Sequence, residues 1–242
     1  MTNNFKIWGN RINFKCLSPV LAASLVMLFT DSASALSMTF TDSLPASPLN
    51  FSNNNLTLSK FDPSLGTLTS FDLTFSSNTQ GVIRFESLEA SPAIVIFNLA
   101  AISTLDTSIF GIPDVVLNPS QSSYYNVSNF DGILDFSGTS GSTVNGLTAP
   151  SSISLSGLTT NLPAITGVGS YNLTFSSISS SSFTGAANLL SQIQQSADGN
   201  VSITYNYDPI AVPFEFNSGL GLSVLAGLFV GKKVLKRTPQ KR

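Results

Sequence analysis

The chain has no histidine and a single cysteine, Cys16, close to its N-terminal end. Beyond that residue this excludes disulfide frameworks, thiol nucleophiles, serine–histidine–aspartate triads, zinc-finger sites and imidazole acid–base chemistry. Tryptophan is confined to Trp8. Cations are scarce as well. Lys60 and Arg84 are the only two between residues 36 and 210, and they stand against eleven carboxylates; two minus eleven gives that stretch a formal charge of −9, inside a whole-chain value of −2. So acidic a body argues against nucleic acid as a partner, because phosphate binding needs cations that displace counterions. Carboxylates, hydroxyls, one lysine and one arginine are all that remains for catalysis.

The missing cations sit at the two ends. Lys6, Arg11 and Lys15 precede an apolar run from Leu17 to Phe29, and Ala33-Ser34-Ala35 follows. Charge, short apolar stretch and small-x-small site are the three parts of a secretory signal peptide. Residues 1–35 are read as that leader, with Ala33 and Ala35 marking cleavage before Leu36. A retained anchor is the alternative, but Pro19 would kink it and the apolar run is too short to cross about 30 Å of hydrocarbon.

At the other end, residues Ser218 to Val230 are apolar or small, and Lys232, Lys233, Lys236, Arg237, Lys241 and Arg242 follow. A helix over Phe214–Leu235 would span about 33 Å, enough for a bilayer. Basic residues favour the cytoplasmic side, which holds the body outside and agrees with export by the leader. A basic amphipathic surface helix is the competing reading, disfavoured because no face is interrupted before Lys232.

Pro213-Phe214-Glu215, a Gly-rich apolar segment and then the cluster Lys232, Lys233, Lys236 and Arg237 resemble, over about 30 residues, the cyanobacterial subclass of the PEP-CTERM domain. In that subclass Pro-Phe-Glu replaces Pro-Glu-Pro. The resemblance implies sorting by a membrane-embedded exosortase, cutting near the motif, and delivery to the cell surface or extracellular matrix of a polysaccharide-exporting bacterium. The extension Thr238–Arg242 is slightly longer than is usual in the family.

Residues 36–210 are poor in helix formers and rich in period-2 segments. Leu36–Phe40, Leu56–Phe61, Phe71–Phe75, Ile153–Gly157, Tyr171–Phe175 and Val201–Tyr207 alternate apolar with polar residues. Ala93–Phe97 is apolar on both faces, as a strand buried between two layers would be. Asp62–Gly66, Asn118-Pro119-Ser120, Asp131-Gly132, Asn145-Gly146 and Asp198-Gly199 are turn signals. The pattern predicts an all-β fold, an antiparallel β-sandwich of jelly-roll or Ig-like type. One short helix is expected over Ala186–Gln195, where Leu189, Leu190 and Ile193 would form an apolar face. SFDLTFSS at 70–77 and SYNLTFSS at 170–177 are read as recurrence of the strand pattern rather than as a duplication.

The string Lys60–Ser70 (KFDPSLGTLTS), with the weaker Phe183-Thr184-Gly185 and Val201–Tyr207, resembles the choice-of-anchor E domain. Members of that family occur beside PEP-CTERM tails. The resemblance implies an exported surface domain over 36–210 and brings no activity with it.

Candidate chemistry is thin. Asp131 and Asp135 flank a turn, and Glu86 and Glu89 lie beside Arg84. A glycosidase needs two carboxyls across a cleft, and nothing in the sequence makes distant acids converge. No D-x-[DN]-x-[DN]-G calcium loop occurs. No catalytic residue, cofactor or metal site is therefore expected. Tyr124, Tyr125, Tyr205 and Tyr207 could stack on sugars; Tyr205 and Tyr207 fall on one strand face and suit the core better, and only one of Tyr124 and Tyr125 can face outwards. Five Asn-x-Ser/Thr sequons, at Asn50, Asn55, Asn126, Asn172 and Asn200, follow from composition. The chain thus reads as a leader (1–35), a sandwich (36–210) and a sorting tail (211–242). The expected product is a non-enzymatic surface or matrix protein, with a carbohydrate-binding module or adhesin as the alternative. The expected partners are signal peptidase, exosortase, the inner membrane before processing and extracellular polysaccharide.

Overall fold

The computed structural model describes residues 35–210. The leader's charged and apolar regions, Ala33, the 214–235 segment, Pro213-Phe214-Glu215 and the basic cluster lie outside the described residues. Among the described residues no helix is long and apolar enough to cross a membrane.

The described residues form ten strands: β1 (Leu36–Pro48), β2 (Phe51–Ser59), β3 (Gly66–Ser87), β4 (Ala93–Leu105), β5 (Val115–Leu117), β6 (Ser120–Val127), β7 (Gly141–Leu158), β8 (Ser170–Ser179), β9 (Ser182–Thr184) and β10 (Leu189–Pro209). They form two antiparallel sheets. One has the order β1-β10-β3-β7; the other has the order β2-β8-β4-β5, with β6 and β9 paired to the N-terminal half of β4. The expected all-β class and antiparallel sheets are what the chain adopts. The chain mostly alternates between the sheets, so few sequence neighbours pair. The longest ladder joins β3 to β10, from Gly66↔Pro209 to Ser87↔Leu189.

Alternation explains the layers. Phe71, Leu73 and Phe75 of β3, Tyr171, Leu173 and Phe175 of β8, and Val201, Ile203 and Tyr205 of β10 are all buried, because odd positions of each strand point at the opposing sheet. The similar strings at 70–77 and 170–177 lie in opposite sheets, and Phe175 meets two rings edge-on, Phe75 at 5.4 Å and Phe51 at 5.2 Å between centroids.

Two hydrophobic clusters fill the interior. The larger spans β2, β3, β8 and β10 and includes Phe61, Phe110, Tyr171 and Tyr205. The smaller contains Ile83, Phe85, Val95, Phe97, Leu99, Val127 and Leu147. Between them runs a belt of buried hydroxyls. Ser77 Oγ lies 2.9 Å from Ser103 Oγ, which lies 3.0 Å from Ser177 Oγ. Each serine has one proton, and Ser77 donates to the Asp198 carbonyl at 2.8 Å. The chain of donors therefore runs Ser177, Ser103, Ser77, carbonyl.

Both ends of the domain leave from one pole. Leu36 pairs with Tyr207, and Pro209 pairs with Gly66. The 21-residue β10 runs from there to the far pole, about 65 Å away at strand rise. The FDPSLG segment locks this terminal pole. Asp62 Oδ1 accepts the Ser64 N–H at 2.9 Å, and the Leu65 carbonyl accepts the Ile210 N–H at 3.2 Å. A Cβ on Gly66 would strike the Asp208 carbonyl, so this position requires glycine for close approach. Asp42 fastens the open side, its Oδ2 accepting the Thr57 N–H of β2 at 2.6 Å.

Three expectations need correction. Ala186–Gln195 forms no helix; Leu189–Gln195 opens β10, paired with Ser87–Gly81 of β3. Leu189 and Ile193, four apart, share a face in either structure, and pairing satisfies backbone groups that β3 would otherwise leave bare. Leu190, which a helix would have turned inwards, is exposed. Asn145-Gly146 and Asp198-Gly199 are not turns. Gly146 (φ +68°) sits in a register shift of β7 opposite Gly81 and Ile83, where the left-handed region suits a bulge. Gly199 lies inside β10, and a Cβ there would meet the Phe175 ring. Finally, Ala93–Phe97 is buried on one face only: Val95 and Phe97 point inwards, whereas Ile94 and Ile96 are 51% and 44% exposed.

Candidate functional site

The acids suggested by the sequence do not converge. Asp131 Oδ1 accepts the Ile133 N–H at 3.0 Å, and Asp135 Oδ1 accepts the Ser137 N–H at 2.9 Å. Both are local turn bonds of the kind aspartate makes with the backbone two residues on. Glu89 Oε1 accepts the Asn188 N–H at 2.7 Å. Arg84 donates to Gln192 Oε1 at 3.2 Å, a cross-strand contact between β3 and β10. On the outer face of the four-stranded sheet, Asp72 accepts the Gly157 N–H and the Asn206 side-chain amide, and Asp198 accepts from the Asn78 backbone and side chain. Among the described residues no group of three or more Asp, Glu, His or Cys side chains comes together.

Glu86 is the exception to solvent-facing acids. It points to the outer face of β3, but Ser140 and Gly141 cover it, and it is fully buried. Ser140 Oγ donates to Oε1 at 2.5 Å, while Oε2 has no partner. A Cβ at Gly141 would overlap the carboxyl group, so any other residue there would have to displace the acid. The same Ser140 hydroxyl accepts the Asp131 N–H at 3.4 Å, so one serine ties the acid to the loop that crosses it.

The tyrosines divide as strand alternation dictates. Tyr124 is 70% exposed. Tyr125 turns inwards onto Phe85 and Phe97, with ring centroids 5.4 and 5.9 Å away. Tyr205 and Tyr207 are buried. Tyr205 donates to the Ser59 carbonyl at 2.8 Å, which leaves Tyr171 as the donor in the 3.1 Å contact between the two hydroxyls. Burial holds the Tyr171 phenol far above its ordinary value, reinforced by Tyr205, and pushes Tyr205 up to about 12 against the bond from Tyr171.

Charge is segregated between the sheets. Strands β2, β4, β5, β6, β8 and β9 contain no Asp, Glu, Lys or Arg; Asp42, Asp72, Arg84, Glu86, Asp198 and Asp208 all lie in the four-stranded sheet. The outer face of the six-stranded sheet presents Ile94, Ile96, Ile102, Val116, Tyr124 and Ile178 to solvent. Register groups them: Ile96 is opposite Tyr124, and Ile102 is opposite Ile178. Asn98–Ser122 and Thr57–Asn172 side-chain bonds lie on the same face. Sequence reasoning missed this surface because Ala93–Phe97 reads as doubly buried. The absence of charge from six strands was the available signal.

Of the processing residues, Ala35 is exposed and immediately precedes β1. No family model and no curated protein matches the chain. Solved structures similar to it include those of infectious bursal disease virus. The Gt-strain structure shares 11% identity over 93% of this chain and 55% of its own, with a TM-score of 0.15. The Gx-strain structure shares 13% identity over 74% of this chain and 38% of its own, with a TM-score of 0.16. The chain spans about half the length of the first of these.

Proposed function

We propose that this chain is an exported, non-enzymatic cell-surface or matrix protein. The leader directs residues 36 onward out of the cell, the apolar segment after Pro213 and its basic cluster stop transfer, and an exosortase acts near Pro213-Phe214-Glu215. The observation that carries the reading is where the sandwich starts and stops. β1 opens at Leu36, next to the cleavage point read at Ala35, and β10 closes at Pro209, just before the sorting motif. Removing both address segments would leave every strand among the described residues intact. Both ends also leave from the same pole, so an anchor at the C-terminal side would hold the opposite pole about 65 Å outwards. The engagement of Asp72, Asp131, Asp135, Glu89 and Asp198 in backbone and amide bonds supports a structural rather than a catalytic role for the acids.

Intact-mass and terminal-peptide mass spectrometry of the protein recovered from its own cells tests this. The expected product begins at Leu36 and ends near Pro213, with any attached group visible as added mass. A recovered chain that retains residues 1–35 and the complete tail in the cytosolic fraction would overturn the proposal.

A further inference from the structure

We infer that the outer face of the six-stranded sheet packs against the same face of a second copy of this chain, about a two-fold axis. Six apolar side chains on one uncharged sheet face form two groups on β4 and the strands paired to it, Ile94, Ile96 and Tyr124 towards one end and Ile102, Val116 and Ile178 towards the other, with the Asn98–Ser122 pair between them. Monomeric proteins seldom leave such a patch open, and interface centres are depleted of charge and enriched in large apolar and aromatic residues.

Charge says what covers it. The body carries −9, so two copies approaching at random repel. Contact through the four-stranded sheet would bring Asp72, Asp198 and Asp208 of each copy together. Contact through the six-stranded sheet turns those acids outwards, behind two sheet layers about 10 Å apart in each copy. That separation exceeds the screening length of about 8 Å in physiological salt. The six-stranded face is thus the approach that the charge distribution leaves open. Size agrees. Along Ala93–Ala100 three strands lie abreast (β6, β4 and the short β9), about 26 by 14 Å, and along Ala101–Leu105 four (β2, β8, β4 and β5), about 17 by 19 Å, which together make at most roughly 700 Å². That is close to the area of about 800 Å² that each partner contributes to a standard specific interface. A two-fold axis makes the contact self-complementary, as a face with its own apolar ridge requires. A neutral glycan fits less well, because one tyrosine ring stands among five aliphatic side chains that offer neither a stacking face nor a hydrogen bond. The inference uses only residues of the sandwich and is independent of the export reading.

The test is face-specific cross-linking of the full chain. With Cys16→Ser the protein has no thiol, so single cysteines report position. Ile102→Cys, central on the face, is expected to give a covalent dimer with a short bis-maleimide, and Ser154→Cys, on the outer face of β7, is not. Adding Ile96→Lys and Ile178→Lys to the Ile102→Cys chain should weaken dimerisation roughly a hundredfold in analytical ultracentrifugation, the scale of losing central interface side chains. At a protein concentration low enough to dissociate the parent as well, the two should melt at the same temperature, because neither side chain enters the core. Equal cross-linking at Ile102→Cys and Ser154→Cys would mean association through another segment and overturns the inference. So does a chain that stays monomeric at all concentrations, including one that instead binds a soluble neutral glucan through Tyr124.

Discussion

Below the serine belt, on the terminal side, nineteen buried apolar side chains fill the sandwich; above it, among the described residues, there are seven. The same long strands, β3, β4 and β10, run through both halves. The difference therefore lies in what they meet. On the terminal side β3 and β10 face β2, β8 and the second half of β4 across the interior, and rings from Phe61, Phe71, Phe75, Phe110, Phe175 and Tyr205 interlock. On the far side β8 has left β4, short β9 and eight-residue β6 take its place, and a buried carboxyl group sits among the covering loop. Stability is expected to be concentrated at the pole where the chain ends leave, and local opening at the other.

Substitution in each half measures that contrast most directly. Phe75→Ala should cost about 3–5 kcal/mol in chemical denaturation, the usual range for a fully buried ring, and should lower protection throughout. Phe97→Ala removes an equally buried ring, but hydrogen exchange should accelerate mainly in β6, β9 and the first half of β4. Uniform loss of protection in both variants would show one cooperative unit and erase the distinction. Alkali probes the larger half alone. Burial raises the folded values of Tyr171 and Tyr205 above the ordinary 10.0. The stability they contribute is thus complete below pH about 10, where folded and unfolded chains both keep the protons. It is lost as pH rises through the folded value of Tyr205, about 12. Phenolate absorbance from these two residues should rise together with loss of the fold; full titration of both while exchange protection persists would contradict their burial.

Ser140→Ala tests the weaker half. It strips the only donor from a buried carboxyl group whose second oxygen already lacks one. A cost of about 1–3 kcal/mol is expected, the penalty for a stranded buried polar group. The double change Glu86→Leu with Ser140→Ala should recover most of it. If Ser140→Ala is silent, the acid is solvated by another route and the far half is better built than its sparse core implies.

These halves were unequally legible in the sequence. Phe71–Phe75, Tyr171–Phe175 and Val201–Tyr207 declare the terminal half, because strict alternation with large apolar residues has one reading as a half-buried strand. The far half is where expectation failed. Leu189 and Ile193 satisfy both helix and strand periods, and only the bare edge of β3, set by residues about a hundred positions earlier, decides between them. Asn145-Gly146 and Asp198-Gly199 carry turn chemistry that the fold uses for a bulge and for seating the Phe175 ring. Glu86 looked like a surface acid because its cover, Ser140 and Gly141, lies 54 residues away. The exposed Ile94–Ile96–Tyr124 surface was obscured by a local run that looks buried on both sides; which layer covers a strand is a property of the sheet order and not of its residues.

The serine belt itself gives the smallest expected effect and the sharpest reading of the boundary. Its protons run in one direction, from Ser177 to Ser103 to Ser77 to the Asp198 carbonyl. Ser77→Ala, Ser103→Ala and Ser177→Ala should therefore differ although all three hydroxyls are buried. Ser177→Ala removes a donor at the head of the chain and leaves Ser103 still donating to Ser77. Ser103→Ala strands the Ser177 proton, and Ser77→Ala strands that of Ser103 and uncovers the carbonyl as well. The cost of a single buried hydrogen bond is about 1 kcal/mol and rises when a partner is left unsatisfied. The order of destabilisation by urea titration should then be Ser77→Ala, Ser103→Ala, Ser177→Ala, from most to least. Replacing all three with alanine should cost less than the sum of the single changes, because the intermediate stranded groups disappear together. Strict additivity would mean that the three hydroxyls act separately, and the belt would then no longer mark a boundary between the two cores.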